Sequence, residues 1–212
     1  MDFSKEAKGY LNAPLNRQLM MEMLKGYKRP NDKISELLQN GELTALKKGL
    51  YIPGRVTELP TPEPFLIANH LWGPSYISLE TALSYWGMIP ERVFETASVT
   101  MKTTKTYKTP AGRFTYRHIP SPYYAFGIQS IALSKNQVAM VASPEKAICD
   151  KIITTSGIVL RSPVQVRDFL IEDLRIDQER LATLNWKTIL SWAEDAPKKN
   201  SLLMLAKTLQ AL

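Results

Sequence analysis

The sequence predicts an α+β fold in two parts: a small helical unit with one β-hairpin, then a larger mixed unit that ends in helices. Three observations predict it. Apolar residues recur at helical spacing over residues 15–39, and again from Ser143 to the end with breaks at Gly157, Pro163, near Asn185 and at Pro197. Between Arg92 and Ala142 the composition shifts to threonine, valine and aromatics, which suits strands. The stretch "RVTELPTPEPF" separates the parts, and its alternating Pro60, Pro62 and Pro64 favour an extended, semi-rigid linker.

In the first part, "LNRQLMMEMLK" places Leu15, Leu19, Met23 and Leu24 on one helical face, with Pro14 suited to the first helical position. "NDKISELLQNG" reads as a second helix, capped by Asn31 or Asp32. Its Ile34, Leu37 and Leu38 face inward and Gly41 stops it. In "ELTALKKGLYIPG" two short apolar runs flank Lys47-Lys48-Gly49, and the glycine can take the positive φ of a tight hairpin. Helix, turn, helix and basic hairpin is the order of a winged helix, whose second helix enters the major groove while the wing meets phosphates. A further helix normally precedes these, either abbreviated here or supplied by residues 3–11. Lys28, Arg29, Asn31 and Lys33 then fall at or near the recognition helix, and Lys47 and Lys48 on the wing, as candidate DNA-binding residues. The same segment also suits a small helical cap on the larger unit. The expected boundaries are 1–54 for the DNA-binding module, 55–64 for the linker and 65–212 for the second domain.

The second domain opens with "FLIANHLWGPSYISLETALSYWGMIPERV". Ser75 or Ser78 can cap a helix carrying Leu79, Ala82, Leu83 and Trp86, which Gly87 ends and Pro90 keeps from renewing. "RVFETASVTMKTTKTYKT" follows as a strand, "PAGR" turns the chain and "RFTYRHI" returns it. Phe114, Tyr116 and His118 then share one face, with Thr115, Arg117 and Ile119 on the other. "GIQSIALSKNQVAMVA" adds a strand pair turning at Lys135-Asn136.

Charge is positive overall, 27 basic against 20 acidic residues for a net +7 and a pI near 9.4. The excess is concentrated. Thr96 to Pro144 contains no Asp or Glu, yet holds Lys102, Lys105, Lys108, Arg113, Arg117 and Lys135. Such a stretch attracts nucleic acid or an acidic partner. With Tyr107 and Tyr116 between its cations, the hairpin from Ser98 to Ile119 suits gripping phosphates and stacking bases. Its lysines equally suit protection of a sheet edge. Lys102, Lys105 and Lys108 are spaced by three, so a regular strand cannot present all of them on one face.

The stretch "VASPEKAICDK" holds Ser143 and Lys146 at the spacing of a Ser-x-x-Lys nucleophile and base. The Ser-Asp-Asn and Lys-Thr-Gly partners of such sites are absent from the sequence. A helix start explains it better: Ser143 as cap, Pro144 at the first position, Glu145 on the positive dipole end, and Lys146 with Asp150 four apart. Two histidines and Cys149 do not make a zinc set, and neither Gly-x-Gly-x-x-Gly nor Gly-x-x-x-x-Gly-Lys occurs. Cys149 reads as a small buried hydrophobe, and Glu80 as a buried acid without a visible partner. No catalytic residue, metal or cofactor is expected. The chain shows no secretory signal or membrane-length apolar run, and its single cysteine suits a reducing cytoplasm.

"PSYISLETALSYWGMIPE", "SVTMKTTKTYKTPAGRFTYRHI" and "ASPEKAICDK", in that order, resemble the motifs of the AbiEi-type antitoxin family; "LLQNGELTALKKGLYIPG" resembles the end of its winged helix. The resemblance covers about residues 30–155. Matching positions include Tyr76, Ser78, Glu80, Gly112, Tyr116, Ser143, Lys146 and Asp150, most of them fold-holding. It implies a winged helix-turn-helix joined to an α+β antitoxin domain with a helical C-terminus. It also implies an antitoxin of a type IV system, linked to abortive phage infection, that counters a nucleotidyltransferase-like toxin without a stable complex. Such proteins repress their own operon by binding inverted repeats in the operator DNA. Under that reading, Lys102, Lys105, Lys108, Arg113 and Arg117 form the antitoxin surface. The alternative is a stand-alone winged-helix regulator whose second domain senses or dimerises.

Overall fold

The computed structural model describes residues 3–10, 13–134 and 136–212. Leu11 of the expected first helix and Lys135 of the expected turn lie outside them. The chain begins with helix α1 (Phe3–Ala7), strand β1 (Leu15–Asn16), helix α2 (Arg17–Met23) and helix α3 (Pro30–Gln39), followed by strands β2 (Leu43–Lys47) and β3 (Leu50–Pro53). All pairing is antiparallel and the strand order is β1-β3-β2.

Two expected helix starts move. Pro14 does not open α2. The side chain of Asn16 accepts the Leu19 N–H at 2.8 Å, so capping falls two residues later and Leu15 pairs with Tyr51 instead. Neither Asn31 nor Asp32 caps α3, because Pro30 takes its first position and places both residues inside the first turn. The end of α3 is as expected. Gly41 at φ +73 lets its own N–H reach the Leu38 carbonyl, and the Glu42 N–H reach that of Leu37. Gly49, at φ +79, turns the β2–β3 hairpin.

That hairpin is buried on both faces. Leu43 and Tyr51 join Phe3, Leu15, Met20, Ile34 and Leu37 in the N-terminal core. Leu46, Leu50 and Ile52 belong to the core of the second domain. Each such side chain withdrawn from water contributes about 1.5–3 kcal/mol, so the hairpin is fastened to the larger domain. The linker is also shorter than expected. Pro64 is the first residue of helix α4 (Pro64–Leu71), where its missing N–H costs nothing.

The second domain carries a six-stranded mixed sheet built from β4 (Ser75–Ile77), β5 (Thr96–Thr100), β6 (Lys105–Thr109), β7 (Gly112–His118), β8 (Ile128–Ser134) and β9 (Gln137–Ala142). The order is β6-β7-β5-β4-β9-β8, with β4–β9 and β5–β7 parallel. The segment expected as one strand is therefore two, β5 and β6, with β7 between them. Helix α4 lies on the Tyr116 face, where the Ala68 carbonyl accepts from the Tyr116 hydroxyl at 2.8 Å. Helix α5 (Leu79–Tyr85) follows Ser78, which occupies the cap position without a capping hydrogen bond.

The helical C-terminus comprises α6 (Pro144–Thr154), α7 (Pro163–Arg167) running into a π-helical turn (Asp168–Asp173), α8 (Gln178–Ala182), α9 (Trp186–Ala193) and α10 (Lys199–Gln210). Pro163 opens α7 instead of breaking a helix, with the Ser162 side chain capping it. Asn185 caps α9 through the N–H groups of Lys187 and Thr188. The architecture is α+β. No helix among the described residues is long and apolar enough to cross a membrane.

Candidate nucleic-acid interface

Trp72 ends α4, and its indole N–H donates to the Thr103 carbonyl at 3.1 Å. That bond holds the ring under the loop between β5 and β6. Three ammonium groups converge on the ring: Lys105 at 4.4 Å from its centroid, Lys102 at 4.9 Å and Lys47 at 6.0 Å. Lys105 also stands 4.8 Å from the Tyr107 ring centre. Each cation–π contact at a partly wet site contributes about 0.5–1 kcal/mol. Lys47 comes from the N-terminal hairpin and donates to the Leu71 carbonyl, while Lys102 and Lys105 come from the second domain. Burial, and then the charges of Lys102 and Lys105, push the Lys47 ammonium below the ordinary lysine range. Among the described residues, the ion pairs formed include none of these three lysines.

The other expected DNA-binding residues lie elsewhere on the N-terminal unit. Lys28, Arg29 and Lys48 are exposed. Arg29 pairs with Asp32 at 3.7 Å and Lys33 with Glu36 at 2.5 Å, so part of their charge is already answered along α3. The Asn31 side-chain oxygen accepts from the Arg17 guanidinium at 3.2 Å. Asn31, Ser35 and Gln39 are exposed and four apart, which gives α3 a polar outer face.

The five basic residues expected as one antitoxin surface divide between two faces. In the β6–β7 ladder Lys105 opposes Tyr116 and Tyr107 opposes Phe114, whereas Thr106 opposes Thr115 and Lys108 opposes Arg113. Directly paired residues share a face. Lys105, with Lys102 beside it, therefore faces Trp72. Lys108, Arg113 and Arg117 share the opposite face, where Arg113 pairs with Glu95 at 2.9 Å. Sequence reasoning missed Trp72 and Arg17. Neither carries a local signal, because what matters is what the fold brings beside them.

The Ser-x-x-Lys pair resolves into two structural roles. The Ser143 hydroxyl accepts the Lys146 N–H at 3.2 Å and donates to the Glu145 carboxylate at 2.9 Å, as a helix cap does. The Lys146 side chain is directed elsewhere and is fully buried. Its ammonium lies 3.0 Å from Asp150 Oδ1, donates to the Tyr123 carbonyl at 3.0 Å and stands 3.4 Å from the Tyr123 ring centre. The other Asp150 oxygen accepts from Tyr76 at 2.9 Å and Ser78 at 2.7 Å. Lys146 and Asp150 pair four apart along α6, as expected, but the bridge is buried, and the Tyr76 bond to the Asp150 carboxylate ties α6 to β4. Burial raises the carboxyl and lowers the ammonium, while the pairing and the two hydroxyl donors act the other way. Cys149 is buried as expected, and burial raises its thiol well above the ordinary range.

Glu80 is not the unpartnered buried acid expected. It is partly exposed and bridged to Lys151. That bridge lines a cleft of about 550 Å³ with an apolar floor that includes Ile89, Ile158, Phe169 and Leu174. Leu79, at φ +56, sits in the left-handed region at the start of α5 beside it.

No family model matches the chain, and no curated protein matches it in sequence. Among solved structures, it is similar in fold to the RV2827C protein from Mycobacterium tuberculosis, at 15% identity and a TM-score of 0.54, covering 98% of this chain and 79% of that one. At that identity the likeness is one of fold.

Proposed function

We propose that this chain is the DNA-binding antitoxin and autorepressor of a two-gene toxin–antitoxin system, of the AbiEi type that its motif order resembles. In this reading the N-terminal unit is a winged helix. The observation that carries it is the helix–strand–helix–helix–hairpin order with its β1-β3-β2 sheet, which leaves α3 presenting Asn31, Ser35 and Gln39 outward. Those side chains have the donors and acceptors to read base edges. Lys28 and Arg29 before α3, with Lys47 and Lys48 on the hairpin, supply phosphate contacts whose strength falls as salt rises. Operator DNA upstream of its own gene is the expected ligand, and a nucleotidyltransferase-like toxin the functional counterpart, met without a stable complex. The protein is read as non-enzymatic and free of metal and cofactor, acting in the cytoplasm. The placement of Ser143 and Lys146 in a helix cap and a buried bridge supports the non-enzymatic reading.

Mobility shift of a duplex spanning the upstream region tests the DNA-binding half. The wild-type protein retards it at low salt, and a Lys47→Glu, Lys48→Glu double change weakens it at least tenfold. Unaltered affinity in that double variant removes the hairpin from the reader. A second reading, a stand-alone regulator with a sensing second domain, draws support from the 550 Å³ cleft, which lies in the size range of small-molecule sites. The two differ in whether a toxic gene lies beside this one.

A further inference from the structure

The six-stranded sheet has two edges, and they are guarded unequally. Strand β6 carries Lys105 and Lys108, which deter pairing with another strand. Strand β8 reads Ile-Gln-Ser-Ile-Ala-Leu-Ser, with no charge and no proline. Among the described residues its one strand neighbour is β9, and no backbone hydrogen bond reaches it from another element. The ladder fixes where its free groups point. The Ser143 N–H donates to the Gly127 carbonyl at 2.8 Å. Backbone groups alternate in direction along a strand, so Gln129 and Ile131 also turn theirs to β9, while Ile128, Ser130 and Ala132 turn theirs outward. We infer that this edge joins a second copy of the chain, β8 antiparallel to β8 about a two-fold axis at Ser130, so that one sheet runs through both copies.

Three features favour a second copy as the occupant. Ser130 is the midpoint of the outward-facing residues. An axis there sets it against the second copy's Ser130 and sets Ile128 against the second copy's Ala132, so the outward N–H and carbonyl groups of all three residues find partners. The facing side chains also suit one another. Serine meets serine and isoleucine meets alanine on one face, Gln129 meets the second copy's Ile131 on the other, and no charge opposes a like charge. In a chain of net charge +7, an uncharged edge is where two identical copies approach without repulsion. Finally, Val138 and Met140, which pair with Ala132 and Ser130, are 49% and 40% exposed. With Ile128 and Ala132 they form an apolar strip that continues across the axis. The lysines gathered on Trp72 lie at the β6 end of the sheet, so this pairing leaves them open. The inference stands apart from the DNA-binding reading; where both hold, the dimer carries two winged helices to a two-fold site.

Sedimentation velocity of the full-length protein, from low to high micromolar concentration, tests the pairing. The wild-type protein is expected to pass from monomer to dimer over that range. Ser130→Lys sets lysine against lysine at the axis and is expected to weaken association about tenfold or more. Lys108→Ala, on the opposite edge, leaves it unchanged. Both side chains are exposed, and circular dichroism confirms that each variant is folded. A second measurement reads the register without disturbing the edge. Cys149 is buried, so Ser130→Cys supplies the accessible thiol. Hydrogen-bonded partners across an antiparallel pair stand about 5.5 Å apart at Cα, within the span a disulfide bridges. Mild oxidation is therefore expected to link the Ser130→Cys protein into covalent dimers much faster than Ser35→Cys, which places its thiol on the exposed face of α3. A wild-type protein that stays monomeric throughout overturns the inference, and so does a Ser130→Lys variant that associates like wild type. Equal rates of cross-linking for the two cysteine variants overturn the register and the axis with it.

Discussion

Replacing Lys146 with methionine is the sharpest test of what holds the second domain together. The side chains of Lys146 and Asp150 are both fully buried, 3.0 Å apart. Methionine fills most of the same volume but leaves the Asp150 carboxylate without its counter-ion in a site closed to water. Breaking a buried pair from one side costs about 3–5 kcal/mol. The Tyr76 and Ser78 hydroxyls still donate to the other Asp150 oxygen, so the lower end, roughly 3 kcal/mol, is expected. For a chain of this size each kcal/mol lowers Tm by about 2–4 °C, so the drop is roughly 6–12 °C. Urea unfolding followed by tryptophan fluorescence measures the loss directly as a shift in midpoint. Two controls sharpen it. Adding Asp150→Asn removes the stranded charge while keeping an acceptor for both hydroxyls, and recovers stability to within about 1–2 kcal/mol of the wild type, the remainder being an unmatched amide. Lowering the pH also narrows the gap between Lys146→Met and wild type, because the stranded carboxyl can then take up a proton. A single-variant cost below about 1 kcal/mol, or no recovery in the double variant, refutes the buried-bridge account.

Two further outcomes follow from the packing. A Cβ placed at Gly54 would lie 1.8 Å from the Gly41 carbonyl oxygen, a backbone atom that cannot swing away. Gly54→Ala is therefore expected to destabilise the N-terminal unit by roughly 1–3 kcal/mol or more, with native-state hydrogen exchange accelerating first in residues 30–53; an unchanged exchange pattern contradicts the close approach. Burial raises the phenols of Tyr76, Tyr116 and Tyr123 above their ordinary range, and that of Tyr124 to about 12. A raised folded-state pKa means stability that is complete below the unfolded value near 10 and is lost as pH climbs through the folded one. Phenolate absorbance should thus rise in two stages, exposed tyrosines first and the buried four together with unfolding; a single stage near 10 contradicts their burial.

Local chemistry made much of the fold legible. The β2–β3 hairpin shows in two apolar runs around Gly49, the end of α3 in Gly41, and the start of α6 in Ser143-Pro144, because a turn or a cap is decided within a few residues. The proline run was harder: Pro64 at the first position of a helix looks the same in sequence as Pro60 or Pro62 in a linker, and only the packing of Leu66, Ile67 and Leu71 separates them. The Lys146–Asp150 bridge has the sequence appearance of an ordinary surface helix pair, since its hydroxyl partners are distant in sequence, Tyr76 on β4 and Ser78 at the start of α5. The candidate interface was legible in parts and not as a whole. Charge counting picked out Lys47, Lys102 and Lys105, but it assigned them to two surfaces and missed Trp72. Their convergence depends on the N-terminal hairpin docking against the second domain.

The central claim is tested most directly by growth. The open reading frame beside this gene is induced in cells with and without the full-length chain. The account predicts arrest from the neighbour alone and restored growth when this protein is present. A harmless neighbour, or arrest that the full-length chain fails to relieve, contradicts it.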